Sequence, residues 1–377
     1  MTDSAAPTTT RELRSTVTDD GTLTVDVRSG PVSDPGPDEV VVEIHAAPIN
    51  PSDLGMLIGS ADVSQATAGG EAGTPSFSAP INEGLGALAA RFGEPMPIGN
   101  EGGGVVVAAG SSEAAQAMLG KTVGFVSGNA YAEYRTVHVM GCIVMPDGTD
   151  PVDAAAPFVN PLTALGMVET MRMEGHTALI HTVGASNLGQ MLQRICLADG
   201  IDLVNIVRKP AHVEMLKANG AQHVVDSSAD TFVDDLTEAL RATGATIVFD
   251  AIGGGDLVGT ILGRMEVVAS EGNAYNRYGS DTLKQAYIYG GLDRGPTTLN
   301  RTFGLSWSVS GWLLTPFLAK IGADAQRLRQ RVADEITTTF ASSYGMRITL
   351  DEAVDPANVQ RYAKMATGDK ALITPNG

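Results

Sequence analysis

The chain has 377 residues, more than one hydrophobic core ordinarily serves, so two domains are expected. With 43% hydrophobic and 18% charged residues, it reads as a soluble globular protein, neither disordered nor embedded in a membrane. A formal charge of −18 argues against nucleic-acid partners, which are held by clustered Lys and Arg, and any anionic ligand then needs a local cationic pocket.

The opening MTDSAAPTTTRELRS lacks the basic-then-apolar pattern of a secretory signal and reads as a frayed polar leader. From about Glu12 to Met145, β-prone runs such as TLTVDV, EVVVEIHAA and GGGVVVAAG alternate with Pro- and Gly-rich turns, which predicts a β-dominated unit. Within it, residues 60–97 are rich in Ala, Gly and Ser and poor in strand signal, as expected of a mobile lid, a functional loop or a surface insertion. Cys142 and Cys196 are too few for a disulfide framework or a four-cysteine zinc site, so a reducing cytoplasm is the expected location.

From about Asn160 the rhythm changes. ALIHT, DLVNIVR, HVVDSS and ATIVFDAIG read as strands separated by amphipathic helices, the pattern of parallel βαβ units in a doubly wound sheet. The apolar run GWLLTPFLAKIG is too short to span a bilayer. Short strand signals near the C-terminus suggest a tail that returns to complete the first domain.

The stretch HTVGASNLGQ fits a dinucleotide loop of the G-x-G-x-x-G type, with Ser186 in the second glycine slot. Gly184 is expected to turn the chain and Gly189 to let helix and strand pack closely. Ser186 and Asn187 offer further donors at a helix N-terminus, where free N–H groups attract phosphate, and Leu188 completes the loop. About 20 residues on, an NAD site places a carboxylate for the ribose 2′-OH. This chain has Arg208 and Lys209 there, which suit a 2′-phosphate, so NADP(H) is the expected cofactor. A solvated surface pair is the competing reading of those two cations.

Taken together, AAPINPSDLGMLIG, PIGNEGGGVVVAAG, the dinucleotide loop, VFDAIGG, IYGGL and GDKALITP resemble the medium-chain dehydrogenase/reductase superfamily over nearly the whole chain. INPSD followed by GNEGGG is most similar to its zinc-independent quinone oxidoreductase and 2-enoyl thioester reductase branches. The resemblance implies a GroES-like catalytic domain over residues 1–158 and 312–377 and a Rossmann domain over 159–311. It implies hydride transfer from NADPH to a quinone or an α,β-unsaturated carbonyl compound, and a homodimer formed through Rossmann edge strands, here RTFGLSWSVSG. It places Asn160 and Thr163 near the nicotinamide half, Ile252 and Gly253 beside the adenosine, and Tyr289, Gly290 and Leu292 along the nicotinamide face.

Zinc is not expected, because Asn50 and Asn100 stand where zinc-dependent relatives carry ligands. Asn50 and Asp53 are then the candidates at the reacting centre, Asn50 to polarise a carbonyl, against the alternative that NPSD is merely a turn. The proton-donating tyrosine that enoyl thioester reductases carry shortly after NPSD is missing, which counts against thioester reduction. Tyr131 is the substitute phenol, with Tyr134, Tyr275 and Tyr278 as others, although strand packing competes for the first two. Glu101, Gly102, Gly103 and Gly104 read as structural. A cofactor-binding protein without turnover is the remaining reading.

Overall fold

The computed structural model describes residues 7–377, which divide into two compact units: one runs to Val159 and resumes over Arg329–Gly377, the other is Asn160–Leu328. The polar leader lies outside the described residues over positions 1–6, and its remainder is not frayed. Thr9–Val17 is a strand paired antiparallel with Thr22–Pro31, because Leu13, Ser15 and Val17 alternate onto a buried face.

The first unit is β-rich, as expected. A five-stranded sheet holds Thr9–Val17 and Thr22–Pro31, and a larger sheet is centred on Glu39–Pro48, whose Val40, Val42 and Ile44 enter the core. The C-terminal strand Ala371–Ile373 pairs with Glu39–Pro48 and, in parallel, with Met346–Ile348, so the tail does complete this unit. Residues 60–97 differ from expectation. Thr67–Glu71 and Thr74–Pro80 form a hairpin that extends the five-stranded sheet through Thr22–Pro31, and Leu85–Arg91 is a short 3₁₀ helix. Phe77 and Ala79 anchor the hairpin in the core; its turn is Ala72–Gly73, with Gly73 at φ +89°, and just before it Gly70 in the first strand, at φ +78°, comes so close that a Cβ would lie 2.2 Å from the Thr74 carbonyl oxygen.

The second unit is an all-parallel six-stranded sheet in the order His223–Asp226, Leu203–Val207, Leu179–His181, Ile247–Asp250, Lys284–Ile288, Trp307–Gly311. Counted along the chain this is 3-2-1-4-5-6, the doubly wound order of a dinucleotide-binding domain. Ile180, Val204, Ile206 and Val248 fill its core together with Leu236, Leu240, Ile261 and Leu262 from the covering helices. Residues 312–328 fall with this unit and not with the first, as the sequence had assigned them. The Trp312 indole N–H donates to Thr170 Oγ1 (3.0 Å), and its ring packs on Phe317 and edge-on against Phe249, which ties the segment to the sheet. Among the described residues, no helix is long and apolar enough to cross a membrane, and no group of three or more His, Cys, Asp or Glu is arranged to hold a metal.

Candidate functional site

The order reverses between Leu179–His181 and Ile247–Asp250, and the crevice beyond the carboxyl ends of these strands is where such sheets bind ligands. The loop between His181 and the helix Asn187–Asp199 opens onto it. Its glycines work differently from expectation. The left-handed turn falls on Val183 at φ +54°, unusual for a β-branched residue, whereas Gly184 is required by space. A Cβ at Gly184 would sit 2.7 Å from the buried Asn205 side chain, and one at Gly189 would sit 2.3 Å from the Gly184 carbonyl oxygen. Gly189 thus packs against the backbone of the loop itself at Gly184, not against the strand. Ser186 is the N-cap of the helix, its hydroxyl oxygen accepting the Gly189 N–H at 3.0 Å. That N–H is therefore occupied from within, while the Ser186 hydroxyl proton stays available to an anion. Asn187 opens the helix and Leu188 is buried beneath it.

Arg208 and Lys209 follow Leu203–Val207 directly, at the adjacent strand's carboxyl end. Both are exposed and, among the described residues, neither side chain makes a hydrogen bond or ion pair; the Lys209 carbonyl only caps the next helix, accepting the His212 N–H at 2.9 Å. No internal carboxylate claims them.

Beyond the switch point, Asp250 organises the next turn: Oδ1 accepts from Thr182 Oγ1 (2.8 Å) and the Ile252 N–H, Oδ2 from the Gly253 N–H (2.7 Å). Gly253 lies beside Gly290, and the Asp293 N–H donates to the Ile252 carbonyl, so Ile252, Gly253, Tyr289, Gly290 and Leu292 do converge at the sheet's carboxyl edge. A cavity of about 540 Å³ opens there, lined by Tyr289, Gly290, Gly291, Trp312, Leu313 and Pro316 among others, with no charged side chain. Leu292 is outside its lining, 47% exposed. Asn160 and Thr163, both buried, start the helix Val159–Met173, and Gly166 one turn on from Thr163 packs against the Trp312 ring.

His181 ends the first strand of this sheet beside the loop. Its Nε2 is 2.7 Å from the Tyr289 hydroxyl and the rings stack at 5.8 Å. Burial pushes the imidazole pKa down to about 3, so it is neutral, and burial also raises the Tyr289 phenol, with the Asp250 charge adding to it. Thr182, Asn205 and Gln193 were missed in the sequence. All three are buried polar groups, Asn205 donating to Gln193 at 2.6 Å, and no motif announces them.

In the first unit, the structure brings INPSD and GNEGGG together. Asp53 Oδ2 accepts the Asn50 N–H and Oδ1 the Asn100 N–H, each at 2.8 Å. The Asn50 amide donates to Glu101 Oε1 (2.9 Å), and Glu101 Oε2 also accepts the Phe158 and Val159 N–H groups. Burial raises the Asp53 carboxyl to about 7 against these N–H donors, with Glu101 raising it further and Lys370 lowering it. Burial likewise raises Glu101 and lowers Lys370, whose ammonium is buried without a hydrogen-bond partner. Asn50 is fully buried and its amide is engaged, so it builds the turn and holds Glu101; the turn reading of NPSD describes its contacts.

Tyr131 is fully buried, its hydroxyl donates to the Pro48 carbonyl at 3.1 Å, and burial, with the nearby Asp53 carboxyl adding to it, holds its pKa well above the ordinary tyrosine value. Tyr134 faces Glu43 at 3.4 Å. Tyr275 is 93% exposed and, with Tyr278, precedes Lys284–Ile288, at the amino edge of the parallel sheet and away from the crevice.

The fold has counterparts in solved structures. An NADPH:quinone reductase from Mesorhizobium loti superposes with a TM-score of 0.74 at 24% identity, covering 99% of this chain and 100% of the other. An enoyl thioester reductase from Candida tropicalis does so with a TM-score of 0.66 at 19% identity, covering 98% and 100%. In sequence, the synaptic vesicle membrane protein VAT-1 homolog of Rattus norvegicus is 28% identical over 167 residues, 43% of this chain; the match spans 41% of that protein's length. No family model matches the chain. The fold is that of the medium-chain dehydrogenase/reductases, as the sequence resemblance implied. Its structural neighbours are quinone reductases and enoyl reductases.

Proposed function

We propose that the protein is an NADPH-dependent, zinc-independent oxidoreductase that reduces a quinone or an α,β-unsaturated carbonyl compound. The observation that carries this reading is the exposed, unpaired Arg208 and Lys209 at the strand end beside the dinucleotide loop, in a chain of net charge −18. Two cations left free in so acidic a protein form the local pocket a 2′-phosphate requires. When bound, NADPH supplies the hydride that the electron-poor acceptor takes up.

The chain's own residues do the rest. Gly184, Ser186, Asn187, Leu188 and Gly189 present a tight backbone and a helix N-terminus to the pyrophosphate. Ile252 and Gly253 border the adenosine side. Tyr289, Gly290 and Leu292, with Asn160 and Thr163 from the neighbouring helix, border the nicotinamide side, flanked by the apolar side chains of Trp312, Leu313 and Pro316. That lining carries no Lys or Arg to meet the phosphates of a thioester carrier, which favours quinones and enones over acyl thioesters. The two buried free thiols suit a reducing cytoplasm. The half-exposed edge strand Trp307–Gly311 suits a homodimer, and light scattering that returns a monomer mass removes that part.

The test is calorimetric titration with NADPH and NADH of the wild type and of Arg208→Ala/Lys209→Ala. The reading expects NADPH to bind tightly and to weaken to the NADH level in the double variant. Equal binding of both nucleotides by the wild type overturns it. Tight NADPH binding with no oxidation by any quinone or enal turns the protein into a nucleotide binder without turnover.

A further inference from the structure

The strand Ile247–Asp250 lies between Leu179–His181 and Lys284–Ile288 in the sheet. The Tyr289 side chain reaches across its carboxyl end to His181, so the pair bridges from the base of the phosphate loop to the wall of the 540 Å³ cavity. Below the bridge, Thr182 holds Asp250, which holds the 251–253 turn. His181 is fully buried, and its Nδ1 meets no partner among the described residues. A buried polar ring atom left without a partner is costly, and a merely space-filling position would be occupied better by Phe or Leu. Among the described residues, the imidazole's one polar contact is the Tyr289 hydroxyl.

We propose that His181 is a positioning residue that anchors the Tyr289 phenol and thereby fixes the cavity wall against which the nicotinamide half of the cofactor rests. The inference rests on the NADPH reading above and adds the residue that holds the wall in place. A tyrosine attached only by its backbone to the end of a strand has two rotatable side-chain bonds, and the 2.7 Å bond at its tip removes that freedom before any ligand arrives. The adenosine end lies on the Arg208–Lys209 strand end and the 251–253 turn, and that turn is held by the Thr182 hydroxyl and the Asp250 carboxylate rather than by the Tyr289 phenol.

The experiment compares binding of NADPH and of 2′,5′-ADP, which lacks the nicotinamide half, to the wild type, His181→Phe, Tyr289→Phe, the double variant and His181→Gln. NADPH is expected to bind about tenfold more weakly to each of the two single Phe variants, with 2′,5′-ADP unchanged. The double variant should be no weaker than either single one, because both remove the same bond. His181→Gln, whose amide can still meet the phenol, should recover most of the loss. Enhancement of bound NADPH fluorescence should fall in the same order, a readout independent of turnover. Additive losses, no loss of NADPH affinity, or equal losses for 2′,5′-ADP overturn the proposal. Failure of the wild type to bind 2′,5′-ADP instead removes the NADPH reading itself.

Discussion

The Tyr131 hydroxyl donates to the carbonyl oxygen of Pro48 across 3.1 Å, inside the core of the first unit. The bond joins the strand that ends at Pro48, just before the INPSD turn, to the segment after Thr122–Val126 that packs against Gly99; a Cβ at Gly99 would lie 2.6 Å from the Tyr131 ring. Tyr131→Phe should cost about 1 kcal/mol, the worth of one buried hydrogen bond, with turnover unchanged. A tenfold fall in kcat at unaltered melting temperature would restore this phenol to the chemistry.

Asp53 should make stability depend on pH in an unusual direction. Its folded pKa of about 7 stands above the ordinary 3.8, so between these values the folded state holds a proton that the unfolded state has released. Its contribution is therefore greatest below pH 4 and declines as pH rises to 7, by at most roughly 1.4 kcal/mol per pH unit. Asp53→Asn removes the titration but keeps only one acceptor oxygen for the Asn50 and Asn100 N–H groups. Melting temperatures of this variant should be lower at pH 4 and flatter from pH 4 to 7 than those of the wild type. An undiminished slope would assign the dependence to another group.

The second unit contains a buried ion pair between Lys284 and Glu266. Glu266 also accepts the Ser280 N–H and hydroxyl and the Ser270 hydroxyl, each at 2.7 Å, which closes the Gly-rich loop between the helix Leu257–Ala269 and Lys284–Ile288. Burial works to raise the carboxyl, but Lys284 and these donors outweigh it and bring the pKa down to about 2. A lowered acid stabilises fully above its unfolded value of 4.5 and loses that contribution as pH falls toward 2. Lys284→Met, which strands the carboxylate, should cost about 3–5 kcal/mol and open the 270–280 loop to protease first. A loss below 1 kcal/mol would mean that the serines alone satisfy Glu266.

Gly189→Val tests the loop by steric means. The Cβ has 2.3 Å to the Gly184 carbonyl oxygen, backbone that cannot move without displacing the turn. NADPH affinity should fall at least tenfold in a protein whose far-ultraviolet circular dichroism is unchanged. Wild-type affinity in this variant would show that the loop does not carry the pyrophosphate.

The parallel sheet was legible because each βαβ repeat carries its own period, and the returning tail because ALIT stands out as a short apolar strand. Residues 60–97 were not, since the strand-forming TAGGE and TPSFSAP have weak intrinsic preference and become strands only by pairing with Thr22–Pro31. The strand–loop–helix turn at 182–189 was located by its glycines, but the division of labour within it was hidden. Backbone angles decide that Val183 turns, and the bulk of Asn205, distant in sequence, decides that Gly184 must lack a side chain. The surroundings of Tyr131 were hidden for a related reason: a phenol in a β-rich segment looks the same in sequence whether its hydroxyl meets a ligand or, as here, the Pro48 carbonyl. Arg208 and Lys209 were legible by position, and only the structure showed them without an internal partner.

Val183 is held in the left-handed region although its β-branched side chain disfavours it. The conformational work of shaping that turn is done during folding, not during association. A cradle set in advance has little left to rearrange when a nucleotide arrives, so affinity differences among loop variants should appear as changes in residence time, with arrival rates nearly constant.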